Sequence, residues 1–179
     1  NGDFRAFQLG TGACVFGRGS GDEDRGGIAV NYYHTGSAEK YLANGNASGV
    51  LLNDGDIDFF TAAANSSGVD AAMSKTNAMR IASTSGKIGI GNTNPGSFDD
   101  YANLLVVGTT SGNNGITIVA GTSNSSSIYF ADGTSGGSEK NAGIVDYNHN
   151  TDKMRFATAA NDAVVIESTG KVGIGTNDP

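Results

Sequence analysis

A short motif that occurs twice constrains the fold of this 179-residue chain more than any other feature. Residues 79–95 read MRIASTSGKIGIGNTNP, and residues 164–179 read VVIESTGKVGIGTNDP. Both copies contain a Ser-Thr pair, a Gly-Lys pair, an alternating apolar–Gly ribbon and a polar turn that ends in proline. Because Gly86 matches Gly170, the copies lie 84 residues apart. Internal repetition of this kind indicates a chain built from similar structural units.

The apolar–Gly ribbons have an unusual pattern for a strand. Side chains alternate across a strand, so one face of each ribbon carries two apolar side chains and the other carries none. Glycine weakens a strand unless another backbone must come close to it. We therefore expect three copies of the chain to meet at the ribbons, with a neighbouring backbone against Gly89 and Gly173; the alternative is a hairpin edge in a monomeric sandwich. The trimer ribbon is predicted to contain Ile88, Gly89, Ile90, Gly91, Val172, Gly173, Ile174 and Gly175.

The composition indicates a chain that folds but buries little surface by itself. Gly, Asn, Ser and Thr make up 78 of the 179 residues, whereas Leu, Ile, Val and Phe make up 36. Disorder is disfavoured because charged residues are only 16% and proline occurs twice. A small core needs staples or partner chains. The single cysteine, Cys14, excludes an internal disulfide. Association with partner chains is therefore the expected source of additional stability.

The charge and hydropathy patterns exclude two classes of partner. A formal net charge of −7 disfavours nucleic acid and anionic membrane surfaces. No apolar run approaches the roughly 20 residues that a membrane-spanning helix needs. We expect neither nucleic-acid binding nor membrane insertion.

Candidate chemical sites are few. Residues 17–21 are glycine-rich but lack the strand, the helix and the Gly-Lys-Ser/Thr ending of a phosphate loop. The acidic runs at 22–24 and 53–58 offer oxygen atoms to Ca²⁺ but fit no calcium loop, so solvated turns are the preferred interpretation. His34 and His149 occupy similar places in the two repeats and could each form a three-histidine metal site in a trimer, although a polar residue at a strand end explains them better. The chain is predicted to be no enzyme and to bind no cofactor or metal.

The repeat divides the sequence into two predicted units, residues 1–97 and residues 98–179. Residues 27–34 resemble 143–149, and 56–59 resemble 152–156. The first unit is longer, and the extra residues fall near 36–55 and 65–76, where we expect surface insertions. A possible host contact is predicted in these insertions; the alternative is a local hairpin that widens the shaft. The apolar residues that suggest this contact are Tyr41, Leu42, Leu51 and Leu52.

Short apolar runs separated by Gly, Asn, Ser and Thr predict strands throughout the chain. Helix signals are nearly absent, and the best candidates are 37–42 and 70–79. The predicted strands are 13–16, 28–33, 57–61, 79–82, 87–91, 104–107, 116–120, 127–131, 143–147, 153–157, 163–167 and 171–175.

The repeat also resembles a known class of fibre. The pattern is M-R-I-x-S-x-x-G-x-[IV]-G-I-G-x-T-x-P, and it is carried by residues 79–95, with Leu105, Val107 and Gly108 after it. It resembles the shaft repeats of phage tail fibres and neck appendages. Such repeats commonly lie ahead of a self-cleaving C-terminal intramolecular chaperone. The second copy departs from the pattern, with Val164-Val165 in place of Met-Arg.

The resemblance and the composition together imply an all-β, elongated, fibrous homotrimer of short strands. Its ribbons would be β-prism or triple-β-helix-like and would alternate with small β-sandwich units. The expected function is a structural segment of a phage tail fibre or appendage that extends or presents host-recognition elements on the extracellular virion. Its expected partners are itself, other virion tail proteins, and a glycan or protein of the host surface. A trimeric bacterial adhesin stalk and a glycan-depolymerising tailspike are the alternatives.

Overall fold

The computed structural model describes residues 4–10, 12–18, 24–101 and 104–179, with the side chains of residues 4–6 and 18 excluded. The chain is nearly all β, with 48% of residues in strands and 4% in helices, which confirms the predicted class. Short strands separated by Gly- and Asn-rich turns account for this content. Helical residues among those described are a 3₁₀ turn at Pro95–Ser97 and the short helix α1 at Gly137–Lys140.

The strands, in chain order, are β1 (Phe4–Leu9), β2 (Ala13–Arg18), β3 (Arg25–Val30), β4 (Tyr33–His34), β5 (Glu39–Lys40), β6 (Gly45–Asn53), β7 (Asp56–Asn65), β8 (Lys75–Ile81), β9 (Ile88–Ile90), β10 (Leu105–Val107), β11 (Ser125–Phe130), β12 (Gly143–Asn148), β13 (Lys153–Thr158), β14 (Asn161–Ile166) and β15 (Val172–Ile174).

The chain forms two compact units, Asn1–Gly115 and Ile116–Pro179. The predicted boundary between residues 97 and 98 separates two sequence repeats, whereas these units are defined by compactness. The predicted boundary therefore stays a prediction. In the first unit the strand order is β1-β2-β3-β6-β7-β8-β9-β10, and β4 and β5 form a separate hairpin. All neighbours in the large sheet are antiparallel except β9 and β10, which are parallel.

The first unit buries its core on one face of the large sheet. Two clusters of buried apolar residues lie there among the described residues. The Tyr32 ring packs between Phe16 and Phe60, with ring centroids 5.3 and 5.4 Å away, and aromatic pairs at this spacing add stability beyond the area that they bury. The cluster around Tyr32 contains Cys14, Phe16, Ala29, Leu51 and Phe60, and the second contains Tyr41, Ala47 and Ala62.

The second unit is a five-stranded antiparallel meander, β11-β12-β13-β14-β15. Ile144, Ala157 and Val165 are buried on one of its faces, beside the buried carboxylate of Asp146. No described residue of this unit belongs to a hydrophobic core cluster. The sheet is therefore held together by its hydrogen-bond ladder and polar contacts more than by a core of its own.

Three sequence-based expectations about the elements are wrong. Residues 45–53 are not a surface insertion but the long strand β6 inside the sheet, between β3 and β7. No helix forms at 37–42 or 70–79, where strands β5 and β8 lie instead. Residues 116–120 form no strand, because their backbone pairs with no described neighbour.

The place of β6 changes how the two repeats correspond. Counted back from the ribbon, β9, β8, β7 and β6 match β15, β14, β13 and β12. The next strand outward is β3 in the first unit and β11 in the second. The sequence match of 27–34 with 143–149 therefore does not reflect position in the sheet, since β6 takes the place of β12.

Candidate assembly surface

The two ribbons have the same local structure. Met79 faces Ile90 across β8 and β9, and Val164 faces Ile174 across β14 and β15. Each ribbon ends at a glycine with positive φ, Gly91 at 68° and Gly175 at 70°, a conformation that glycine adopts without strain. The amide of Gly91 donates to Ala78 O at 2.9 Å, and the amide of Gly175 donates to Ala163 O at 3.0 Å. The repeated sequence thus produces a repeated hairpin and turn.

A backbone does approach Gly89 and Gly173, but it belongs to the same chain. A β-carbon at Gly89 would overlap the carbonyl oxygen of Asn92, and one at Gly173 would overlap that of Thr176. Both carbonyls belong to the turn that follows the ribbon and folds back over it. A strand of a neighbouring copy was expected to pack on these glycines. That expectation is wrong for this side of the ribbon, because a carbonyl of the same chain fills the space. Their small size is needed for the turn.

The apolar side of the first ribbon belongs to a much longer surface. Directly paired residues in adjacent strands share a face, and one such row crosses all eight strands of the large sheet without a polar residue. Phe7 is 68% exposed and Ile28 64% exposed, so the row lies on the face opposite the core. From β1 to β10 this row, here called the apolar row, contains Phe7, Val15, Ile28, Val50, Phe59, Met79, Ile90 and Val107.

A second row runs beside the apolar row on the same face. It is apolar from β6 to β10, and Leu52 and Leu105 are exposed within it. Its members are Leu52, Ile57, Ile81, Ile88 and Leu105.

The second unit repeats this arrangement on its own sheet. Ile174, at one end of the row, is 80% exposed, and Phe156 in the middle is also exposed. The neighbouring row ends in exposed Val172. In this unit the ribbon strand β15 lies at the edge of the sheet, and Ile174 is the last member of an apolar row that crosses all five strands. From β11 to β15 the row contains Ile128, Val145, Phe156, Val164 and Ile174.

The opposite face of each sheet carries an Asp–Arg pair. In the first unit the Arg80 guanidinium donates to both carboxylate oxygens of Asp58 at 2.7 Å, and Nη1 donates to Thr93 O at 3.1 Å. Asp58 is nearly fully buried, and the hydrogen bonds to it raise the pKa of Arg80. In the second unit Arg155 lies 3.5 Å from Asp146 and 3.1 Å from Asp162. The pair in the first unit fixes the turn that covers Gly89.

The residues predicted to contact a host lie in different environments. Tyr41 and Leu51 are buried in the two core clusters, at 5% and 2% exposure, and the Tyr41 hydroxyl donates to Ala63 O at 2.6 Å. Leu42 is half-buried and Leu52 is exposed on the apolar face. A partner could therefore reach Leu52 and part of Leu42. Host contact by this region stays a prediction.

The other candidate residues serve local structure. Nε2 of His34 lies 3.0 Å from Arg25, and Nε2 of His149 lies 3.0 Å from the Ser126 hydroxyl. Burial raises the pKa of the Cys14 thiol, which donates to Tyr32 O at 3.2 Å, so it is a packed thiol rather than a nucleophile.

The acidic and glycine-rich runs lie partly outside the described residues. In the run at 53–58, Asp56 accepts from the Ser83 amide at 2.8 Å, and Asp58 binds Arg80. Residues 22 and 23 of the other acidic run, and 19–21 of the glycine-rich run, lie outside the described part. Across that part, no three His, Cys, Asp or Glu side chains could hold a metal ion together, and no helix is long and apolar enough to cross a membrane.

One polar depression of about 310 Å³ lies in the second unit. Both of its carboxylates, Asp146 and Asp162, are held by Arg155. The arrangement is that of a structural ion-pair network.

Sequence reasoning found the ribbons and most of the strands, but it missed that the exposed apolar positions of these strands align into one face. The alternation of Phe7 with Leu9, and of Ile28 with Val30, was visible in the sequence. It indicates one apolar face per strand. It does not say whether that face is buried or exposed, and only strand pairing shows that the exposed positions align.

Comparison with protein-family models, with curated proteins and with solved structures found no match to this chain.

Proposed function

We propose that this chain is a structural segment of a phage tail fibre or a related virion appendage, in which three copies associate through the apolar faces of their sheets. The observation that carries the proposal is the unbroken apolar row across eight strands, which faces solvent in a single copy. Such faces mark interaction sites when they are large and contiguous.

The size of the face supports self-association. In the first unit nine large apolar side chains of this face are each at least 39% exposed. At about 150–200 Å² for a fully exposed apolar side chain they present on the order of 800 Å². A standard protein interface buries about 800 Å² on each partner. The nine are Phe7, Leu9, Val15, Ile28, Val30, Leu52, Phe59, Ile90 and Leu105.

The balance between core and surface points the same way. Among the described residues, 12 apolar side chains are buried whereas 22 large apolar side chains are exposed. The same face is exposed in both units, although they differ in strand number. A mode of association that covers one repeat would therefore cover the other, as a fibre built from repeats requires.

The homotrimer is tested by multi-angle light scattering on the purified chain. A mass about three times 18.1 kDa is expected, and a stable folded monomer would refute the proposal. Three copies around one axis form a closed symmetric assembly, as two copies do, and a mass of twice 18.1 kDa would refute the trimer in favour of a dimer.

The virion assignment needs a separate experiment. Gold-labelled antibody raised against this chain should mark the tail appendages of phage particles in electron micrographs. Labelling of bacterial cells that carry the gene but release no phage would favour the adhesin stalk instead.

A further inference from the structure

The first residues of the second unit, 116–120, form an apolar segment without a partner. The sequence Ile-Thr-Ile-Val-Ala has strong strand propensity. The structure nevertheless assigns it to no helix, strand or turn, and its backbone makes no hydrogen bond to another backbone group in the described ranges. Ile116 is 70% exposed and Val119 is 86% exposed. The segment has the composition of a strand but lacks its ladder.

The sheet of the same unit has an edge without a partner. β11 pairs with β12 on one side and with no described strand on the other. Natural sheets protect such edges with charged residues or proline. Neither β11, which reads SSSIYF, nor residues 116–120 contain any. The unit thus contains both an open sheet edge and an unpaired apolar segment, and pairing of the two would satisfy the backbone hydrogen-bonding groups of both.

The first unit shows what covers the corresponding edge. Its counterpart of β11 is β3, and β2 pairs with it along six residues, with Val15 facing Ile28. The preceding strand thus completes the sheet in that unit. In the second unit the preceding segment, 116–120, is available but unpaired.

Among the described residues, the hydrogen bond between the segment and its own β11 is made by a side chain. The Ser126 hydroxyl donates to Ile118 O at 2.9 Å, and the turn between them is closed by the Asn124 amide donating to Gly121 O at 2.9 Å. No backbone hydrogen bond is formed by the amides and carbonyls of Thr117 and Val119 to the described residues, so these groups are free to pair with another strand.

We propose that residues 116–120 of one copy pair with the open edge of β11 in a neighbouring copy, so that the copies exchange a strand. This inference rests on the proposed self-association and adds a second kind of contact to it. The apolar rows bring the faces together, and the exchanged strand joins the backbones. Addition of a strand to a free edge supplies main-chain hydrogen bonds that a packed face cannot.

Hydrogen exchange measured by mass spectrometry tests the exchange of strands. In the assembled protein the amides of 116–120 should exchange at least about tenfold more slowly than in a monomeric variant such as F59D/F156D. Equal protection in both would mean that the segment pairs within its own chain. Absence of protection in a trimer would refute the strand exchange and leave the trimer standing, whereas a monomeric native chain would refute the trimer itself.

A pair of proline variants gives a second measurement on the native assembly. Val119→Pro removes one amide donor from the segment, while its exposed side chain loses no packing within a copy. Thr122→Pro is the matched control, because it places proline second in the turn 121–124, where proline is favoured. We expect Val119→Pro alone to lower the melting temperature of the trimer; equal effects of the two variants would refute the pairing.

Discussion

The main-chain carbonyl of Asn92 lies against Gly89 in the position that the β-carbon of any other residue would occupy. Thr176 covers Gly173 in the same way in the second unit. The repeat thus preserves a hairpin with a turn folded onto it, and the glycine pattern of the ribbon results from this contact within one chain.

Gly89→Ala should therefore destabilise the fold of a single copy, before any effect on assembly. The added methyl group must displace the backbone at Asn92, and overpacking of this kind costs about 1–3 kcal/mol. Chemical denaturation of the purified variant measures the loss. Gly17→Ala is the control, since Gly17 is also a strand glycine but has open space around its would-be β-carbon; equal losses in the two variants would contradict the role of the turn.

Arg80→Met should destabilise the first unit strongly. It leaves the buried Asp58 carboxylate without its cation, which typically costs about 3–5 kcal/mol, and it removes the donor to Thr93 O. The double variant Asp58→Leu/Arg80→Met should recover much of the loss, because the buried position then carries no unpaired charge and only the half-buried Asp56 carboxylate, 3.2 Å from Arg80, loses its cation. Thermal melting of the two single variants and the double variant measures the coupling, and purely additive effects would show that the pair contributes nothing specific.

Phe156→Asp should weaken self-association with little effect on the fold of one copy. Phe156 lies in the apolar row of the second unit and is exposed, so the charge becomes buried only when another copy covers it. Tyr101→Asp is the matched control, because Tyr101 is an exposed aromatic residue in a turn, outside the apolar rows and outside β11. Sedimentation velocity should show dissociation for Phe156→Asp at concentrations where the control stays assembled.

The Lys153–Glu167 pair should give the second unit a defined pH dependence. A hydrogen bond from Lys153 at 2.9 Å lowers the pKa of Glu167 below 4.5, and the same bond raises the pKa of Lys153 above 10.5. The carboxylate therefore contributes stability above pH 4.5 that is lost as the pH falls through its lowered pKa. The ammonium contributes stability below pH 10.5 that is lost as the pH rises through its raised pKa.

The difference in melting temperature between Glu167→Gln and the native chain measures this contribution. The difference should be constant near neutral pH and should vanish in acid below the lowered pKa of Glu167. Lys153→Met should show the same loss, and adding it to Glu167→Gln should have no further effect. A difference that persists unchanged in acid would mean that the glutamate acts by packing and not by charge.

The sequence by itself determined the β class, most strand positions and the motif that occurs twice. These follow from local chemistry, because alternating apolar residues favour strands and Gly, Asn and Asp favour the turns between them. The matching ribbons at 88–91 and 172–175 were visible for the same reason.

Only the tertiary structure decided which surfaces these strands bury. It placed Leu51 in the core and Leu52 on the open face, because β6 lies inside the sheet and consecutive side chains point to opposite sides. It also showed that the backbone packed on Gly89 is that of Asn92 in the same chain. Residues 116–120 are left unpaired although their sequence predicts a strand. Both outcomes depend on which distant segments reach one another, and local preference does not specify this.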